Sequence, residues 1–219
     1  MLVHKQFLFV FDMRSLPIDT DTIRLKNISL YLSRYLTDGL TTITPELAEI
    51  LKKKFHLQDK KIGIWSSGFS KTQFSETQEN ILKNHLNDKF VLLHHGSYAP
   101  SRGIEELIRS IPLVDTLLKN KIKLFLVGIP QNKIEEIGLL CKTLDISDQV
   151  EIIPPVDIGK IPAYIRYCDV GIIPLPPDNE WWYVSVPLKT LEYLAMGKPI
   201  IATNIPFHQK IFDLCNCGI

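Results

Sequence analysis

The chain lacks any apolar run long enough to cross a bilayer. Its most apolar stretch, Phe7-Leu-Phe-Val-Phe11, is a fraction of the roughly 20 residues that a spanning helix needs. That stretch runs into Asp12 with no small-residue cleavage site, so Met1 to Arg14 does not read as a secretory leader. An excess of one charge is also missing. Lys and Arg number 25 against 24 Asp and Glu, a formal net charge of +1, and this excludes the basic footprint of a nucleic-acid binder. There is no short-period repeat and no low-complexity tract. Lys52-Lys53-Lys54 and the cluster Lys119, Lys121, Lys123 read as solvated faces. No G-x-G-x-x-G opens a helix after a strand, which argues against a dinucleotide-dependent dehydrogenase. Cysteines are few, at 4. Cys141 falls in a helical apolar pattern and Cys168 just before a strand, as small core residues do. Cys215-Asn-Cys217 is too close for an easy mutual disulfide and has no second pair for zinc. All of them are expected as reduced thiols in a cytosolic setting.

What is present is ordinary globular composition, 45% hydrophobic and 22% charged over 219 residues, enough for one large or two small domains. Strands and helices are expected in strict alternation. Before residue 66 the order is a strand in Lys5 to Asp12, a helix over Ile23 to Leu36 with Ile28, Tyr31, Leu32 and Tyr35 on one face, a strand over Leu40–Thr44, a helix capped by Thr44 with Pro45 at its first position, and a strand over Lys61–Trp65. Ser66 to Phe74 has turn composition and reads as a linker. Beyond it come strands at Phe90–His94, Lys123–Val127, Val150–Ile153, Val170–Ile173 and Ile200–Ala202. Helices separate them: a long one over Ile104–Leu118 kinked at Pro112, then one marked by Ile134, Ile137, Leu140 and Leu144, then Ile161–Ile165, then Pro187–Met196; Phe207–Leu214 closes the series. Buried strands separated by amphipathic helices imply an α/β fold with a parallel sheet covered on both faces. Ligands bind beyond the carboxyl ends of such strands, here in the loops at His95, Gly128, Pro154, Pro174 and Thr203.

Ser185 to Thr203 draws most attention. Pro187 suits a helix start, Gly197 ends the helix, and Leu188, Leu191 and Ala195 are expected to face the core. Lys189 stands in the first turn, where a cation opposes the helix dipole unless an anion joins it. Glu192 lies one turn on. The pair reads either as a phosphate-and-hydroxyl site or as a surface ion pair of a few tenths of a kcal/mol, about what an i,i+3 pair contributes.

Several pieces together resemble one family. They are Gly96 and Arg102-Gly103 after the first strand of the second series, Leu126-Val-Gly128, Ile161-Pro-Ala-Tyr164, Cys168-Asp-Val-Gly-Ile-Ile-Pro174, and Pro187-Leu-Lys-Thr-Leu-Glu-Tyr-Leu-Ala-Met-Gly-Lys-Pro199. In that order and spacing the chain resembles the family 4 glycosyltransferases, whose GT-B fold sets two Rossmann-like domains face to face. Asp12-Met-Arg14, Thr42-Ile-Thr-Pro45 and Ser67-Gly-Phe69 with Phe74 look like the end of that family's acceptor domain and its hinge. The expected division is therefore residues 1–74, part of the acceptor-side domain with the hinge, and residues 75–219, the nucleotide-sugar-binding domain. By the same resemblance both domains look incomplete at their outer ends, so the isolated chain is expected to turn over little.

The resemblance implies a retaining transfer of a sugar from a nucleotide diphosphate donor to a glycan or lipid-linked acceptor, with no metal and no other cofactor. Arg102 and Lys189 are the implied catalytic cations, gripping the leaving diphosphate. Gly96, Ser97, Gly128, Pro155, Pro187, Leu188 and Glu192 are the implied donor-binding positions, Glu192 for the ribose hydroxyls and Gly128 and Pro155 for the base. On the residues alone, Arg102 also reads as a solvated helix-start arginine and Gly96 as a turn glycine. Many relatives carry a glutamate where this chain has Val184 and an arginine where it has Ser97; Asp178 and Glu180 are the nearby substitutes for the carboxylate. Trp181, Trp182 and Tyr183 either wall the sugar or pack internally. The expected setting is the cytoplasm, at the inner face of the membrane, with a partner chain supplying the rest of the acceptor domain. A nucleotide-sugar-binding module without catalysis is the alternative. An epimerase on the same fold would need an acidic pair for proton abstraction that has no clear place here.

Overall fold

The computed structural model describes residues 7–16, 20–70, 72, 74 and 88–219. They form two compact units. Residues 1–67 and 178–186 make the first, and residues 68–177 and 187–219 the second. The sequence reading divides the chain at 74–75; the contacts divide it at Ser67–Gly68 and place Asp178–Val186 with the first unit. Val184 explains that placement: it is fully buried, and its carbonyl accepts a hydrogen bond of 2.9 Å from the Thr44 hydroxyl.

The first unit is a parallel sheet in the order β1 (Val10–Met13), β2 (Gly39–Thr42), β3 (Lys61–Ile64). Helix α1 (Thr20–Leu36) joins β1 to β2, and α2 (Pro45–Phe55) joins β2 to β3. Thr44 caps α2 as expected, its Oγ1 accepting from Leu47 N at 3.2 Å, and Leu47, Ala48, Leu51 and Phe55 are buried. Two expectations need correction. Phe7, Leu8 and Phe9 lie outside β1 and are exposed, and Lys5 falls outside the described residues. In α1 the expected apolar face of Ile28, Tyr31, Leu32 and Tyr35 points to solvent, while Leu30 and Ser33 turn inward.

The second unit holds β4 (Phe90–His95), α3 (Ile104–Ser110), β5 (Ile122–Val127), α4 (Gln131–Thr143), β6 (Val150–Ile153), α5 (Ile161–Tyr167), β7 (Val170–Ile173), α6 (Leu188–Ala195), β8 (Ile200–Ala202) and α7 (Pro206–Leu214). Its five strands are parallel in the order β6-β5-β4-β7-β8. The order reverses between β4 and β7, so the switch-point crevice opens where those two strands end. Ile104, Leu107 and Ile108 of α3 and Ile137 and Cys141 of α4 pack on Leu124 and Leu126 of β5. Burial of each such aliphatic side chain stabilises the unit by about 1.5–3 kcal/mol.

Pro112 breaks the predicted long helix rather than kinking it. Proline has no N–H to donate and its ring clashes with the preceding turn, so α3 stops at Ser110. A 3₁₀ turn covers Ile111–Leu113, and a fresh turn, Thr116–Lys119, starts where Asp115 caps Leu117 N at 2.8 Å. Cys215 and Cys217 are joined by a disulfide, against the expectation of free thiols. The chain bends at Asn216, where Cys217 N–H donates to the Cys215 carbonyl at 2.9 Å, and this three-residue turn brings the Cα atoms to 5.4 Å, within the span that a disulfide bridges. Beyond them Gly218 pairs with Ile200 in a parallel bridge, a strand-like start beside β8. Among the described residues no helix is long and apolar enough to cross a membrane.

Candidate functional site

Helix α6 places Lys189, Glu192 and Tyr193 on one face, at spacing i, i+3 and i+4. That face lies against the carboxyl end of β4. Tyr193 is fully buried and its hydroxyl donates to the carbonyl of Leu93 at 2.7 Å. Its ring fits because β7 carries Gly171 there; a Cβ on Gly171 would stand 2.5 Å from the ring. The ring also meets His95 edge-on, with centroids 5.1 Å apart. Glu192 Oε2 lies 3.3 Å from His95 Nε2, an ion-pair distance without hydrogen-bond alignment. This corrects the expected core face of Leu188, Leu191 and Ala195. Leu188 and Ala195 are exposed, and Lys189, Thr190 and Tyr193 are buried.

Lys189 is the unusual member of this set. It is only 8% exposed, and its Nζ has no hydrogen-bond partner among the described residues. Burial, with the Arg102 charge nearby, drives its pKa down to about 7, although Glu192 pulls the other way. Burial raises the pKa of Glu192, and Lys189 opposes the rise. Burial and then the Lys189 charge push His95 down to about 3, and the same two causes push the fully buried His94 well below its ordinary value. Both imidazoles are therefore neutral at pH 7. His94 Nδ1 lies 3.1 Å from the carbonyl of Ile172, which can only accept, so Nδ1 carries the proton.

Three glycines shape the floor, each at positive φ: Gly96 at 115°, Gly103 at 69° and Gly128 at 104°. A Cβ on Gly128 would stand 2.5 Å from the carbonyl oxygen of Gly96, so the ends of β4 and β5 come together only without one. Gly103 closes the 3₁₀ turn Pro100–Arg102 against Pro174, and a side chain there would run into the carbonyl of Pro174. That contact fixes half-buried Arg102 near the switch point. Behind α6, Thr190 Oγ1 lies 3.0 Å from His208 Nε2, while His208 Nδ1 donates to the carbonyl of Thr203 at 2.8 Å. His208 thereby ties the first turn of α6 to α7 and to the loop after β8.

Of the residues named from sequence, the fold gathers Gly96, Arg102, Gly128, Lys189 and Glu192 at one end of the sheet. Pro187 is buried at the N-cap of α6. Ser97, Pro155 and Leu188 are surface residues. Sequence reasoning missed His94, His95, Tyr193 and His208. The signal for the first two was available: a pair of histidines closes an otherwise apolar strand, Phe90-Val-Leu-Leu-His-His95.

A family model described as "Glycosyl transferases group 1" matches residues 89–214, more than half of the chain. The chain belongs to the group 1 glycosyl transferases. The D-inositol 3-phosphate glycosyltransferase of Streptosporangium roseum is 26% identical over 180 residues, which cover 78% of this chain and 40% of that enzyme. The sucrose-phosphate synthase of Thermosynechococcus elongatus superposes with a TM-score of 0.75 at 17% identity, covering 98% of this chain and 55% of that one. Anabaena HepE, solved with UDP and glucose, superposes with a TM-score of 0.67 at 14% identity, covering 91% of this chain and 54% of that one. The chain thus spans about half the length of these proteins. The structural matches confirm a GT-B α/β fold with Rossmann-like parallel sheets. Apart from Asp178–Val186, the matched segment lies in the second unit, which holds the buried Lys189 and the switch point.

Proposed function

We propose that this protein transfers a sugar, with retention of its anomeric configuration, from a nucleoside diphosphate sugar to a glycan or lipid-linked acceptor. The buried ammonium of Lys189, without a hydrogen-bond partner among the described residues, carries the reading. A charge held out of water costs several kcal/mol unless it is paired, and the diphosphate of the donor is the anion that pairs it. As the bond from the anomeric carbon to the phosphate oxygen breaks, its electrons stay with the departing diphosphate. Lys189, Arg102 and the start of α6 meet that growing charge in a site already shaped for it. Arg102 is suited to hold two phosphate oxygens at once. Glu192 accepts from the ribose hydroxyls, and the loops at Gly128 and Pro155 border the base. The cations are side chains, so the reading needs no metal. The site of action is the cytoplasmic face of a membrane.

The test is a thermal-shift titration against UDP-, GDP- and ADP-sugars. A donor at a hundred times its Kd adds about 2.7 kcal/mol. Arg102→Ala and Lys189→Ala are each expected to abolish the shift while leaving the protein folded. Unchanged shifts in both variants sink the reading.

One observation favours a second reading, a nucleotide-sugar-binding subunit without turnover. Val184 stands where many relatives of this pattern carry a glutamate, and it is buried in the first unit. Donor hydrolysis or transfer by the purified chain would exclude this second reading; tight donor binding with neither would favour it.

A further inference from the structure

Lys189 and Thr190 are neighbours on α6, so the helix turns them about 100° apart. Lys189 lies against Gly96 at the end of β4, and Thr190 faces α7. Two features work against this placement of Lys189. Its charge is held out of water, and it stands in the first turn, where a cation opposes the helix dipole. Swinging that turn outward would hydrate the ammonium and relieve the first cost. The N-cap, Pro187, supplies no side-chain hydrogen bond to hold the turn in. Tyr193 holds the second turn through its bond to Leu93. Thr190 holds the first, its Oγ1 lying 3.0 Å from His208 Nε2. Thr190 and His208 are both fully buried. The Thr203 carbonyl can only accept, so His208 Nδ1 carries the proton and Nε2 accepts from the Thr190 hydroxyl. Burial lowers the pKa of His208, against the pull of its bond to Thr203, and the imidazole is neutral at pH 7. Thr203 is in turn bonded to the end of β7, its N–H donating to the Ile173 carbonyl at 3.2 Å. Phe212, one turn along α7, stacks on the imidazole with ring centroids 6.2 Å apart. The link thus runs from the sheet, through Thr203 and His208, to the turn that bears Lys189.

We propose that His208 is a positioning residue: through the Thr190 hydroxyl it holds the first turn of α6 against the sheet and so keeps the Lys189 ammonium buried beside Gly96 before any anion arrives. Cutting the link leaves a buried polar atom unsatisfied and removes the restraint on the turn. Lys189 then reaches water in the unliganded chain, and a binding anion must draw it back. In the parent that cost is met on folding, and a site arranged in advance binds more tightly. The charged and titratable groups that act on Lys189 are Arg102, Glu192, His94 and His95. A change at Thr190 or His208 alters none of them, so its effect on Lys189 reports position. That the anion is a diphosphate rests on the proposed function; that His208 holds Lys189 in place does not.

The test uses the whole chain labelled with ¹³C at lysine Cε, the Lys189 signal being the one lost in Lys189→Met. In the unliganded parent this signal is expected to titrate near pH 7. In Thr190→Val and in His208→Leu it is expected to move up by about one pH unit, a tenfold change in protonation. His208→Gln keeps an acceptor for the Thr190 hydroxyl and is expected to stay close to the parent. Both substitutions cut one link, so the double variant is expected to match either single one. UDP affinity at pH 7 is expected to fall about tenfold in Thr190→Val and His208→Leu, the effect of one lost hydrogen bond. The gap should close toward pH 9, where the parent has lost its charge and the variants have lost less of theirs. A loosened fold alone would weaken UDP by one factor at every pH. The proposal fails on that result, on a Lys189 signal that stays near pH 7 in both variants, or on shifts that add in the double variant. If His208→Leu fails to fold, Thr190→Val, which keeps the shape of the side chain, carries the test. A moved signal without any binding of UDP overturns the donor reading alone, and UDP binding with an unmoved signal overturns the positioning alone.

Discussion

The end of Lys189 occupies the space that a side chain on Gly96 would fill. A Cβ built on Gly96 would stand 3.2 Å from Lys189 Cε and 3.4 Å from its Nζ. The glycine that lets β4 turn is thus also the one that admits the cation, and two predictions follow from what burial does to that charge.

Lys189→Met should stabilise the unliganded protein and abolish donor binding. Replacing buried charge by an apolar side chain of similar length is often neutral or stabilising, by about 1–4 kcal/mol. Each kcal/mol raises Tm by roughly 2–4 °C in a chain of this size. Scanning calorimetry with and without UDP reads both effects. A variant that melts lower than the parent at pH 7 would show that Lys189 is compensated in the free protein.

Donor affinity should fall as pH rises above about 7. Lys189 is held down to about 7 in the free protein, and a bound diphosphate supplies the opposite charge that raises it. Between the free value and the higher bound one, binding takes up a proton. Affinity then drops by up to tenfold per pH unit, and the loss is absent below the free value. Calorimetric titration of UDP in buffers of different ionisation heat measures the proton directly. The same linkage makes the unliganded fold gain stability as pH rises from about 7 toward the unfolded lysine value, because there the unfolded chain binds more protons. A flat affinity across this window contradicts the assignment.

Gly171→Ala should destabilise the second unit by about 1–3 kcal/mol, since its Cβ would stand 2.5 Å from the Tyr193 ring and cores resist overpacking. Tyr193→Phe should cost about 1–2 kcal/mol through the hydrogen bond to Leu93. The two sites touch, so they must couple. In a Tyr193→Leu background the Gly171→Ala cost should shrink by at least about 0.5 kcal/mol, the lower bound for contacting residues. Denaturant unfolding of the four proteins closes the cycle, and strict additivity would mean that the ring yields freely.

Much of the second unit is legible in sequence. Strands such as Val170-Gly-Ile-Ile173 are buried on both sides and so read as unbroken apolar runs. Gly96 reads as a turn residue and adopts positive φ. The face of α6 is not legible: Leu188 and Ala195 have the apolar spacing, yet Lys189 and Thr190 are the residues buried. Hydrophobic periodicity assumes that polar side chains seek water, and at Lys189 and Thr190 that assumption fails. The α1 stripe misleads for a related reason, since spacing shows that residues share a face but not what covers it.

By itself, then, the sequence determined the order of strands and helices, the glycine turns and the motif set of the group 1 glycosyl transferases, because each is written in short-range pattern. Only the tertiary structure decided that Lys189 is buried with no hydrogen-bond partner among the described residues, that Tyr193 reaches Leu93 across 100 positions of chain, and that Trp65 folds back on Asp12. Those facts turn on desolvation and on neighbours distant in sequence, and both come into being only when the strands are side by side.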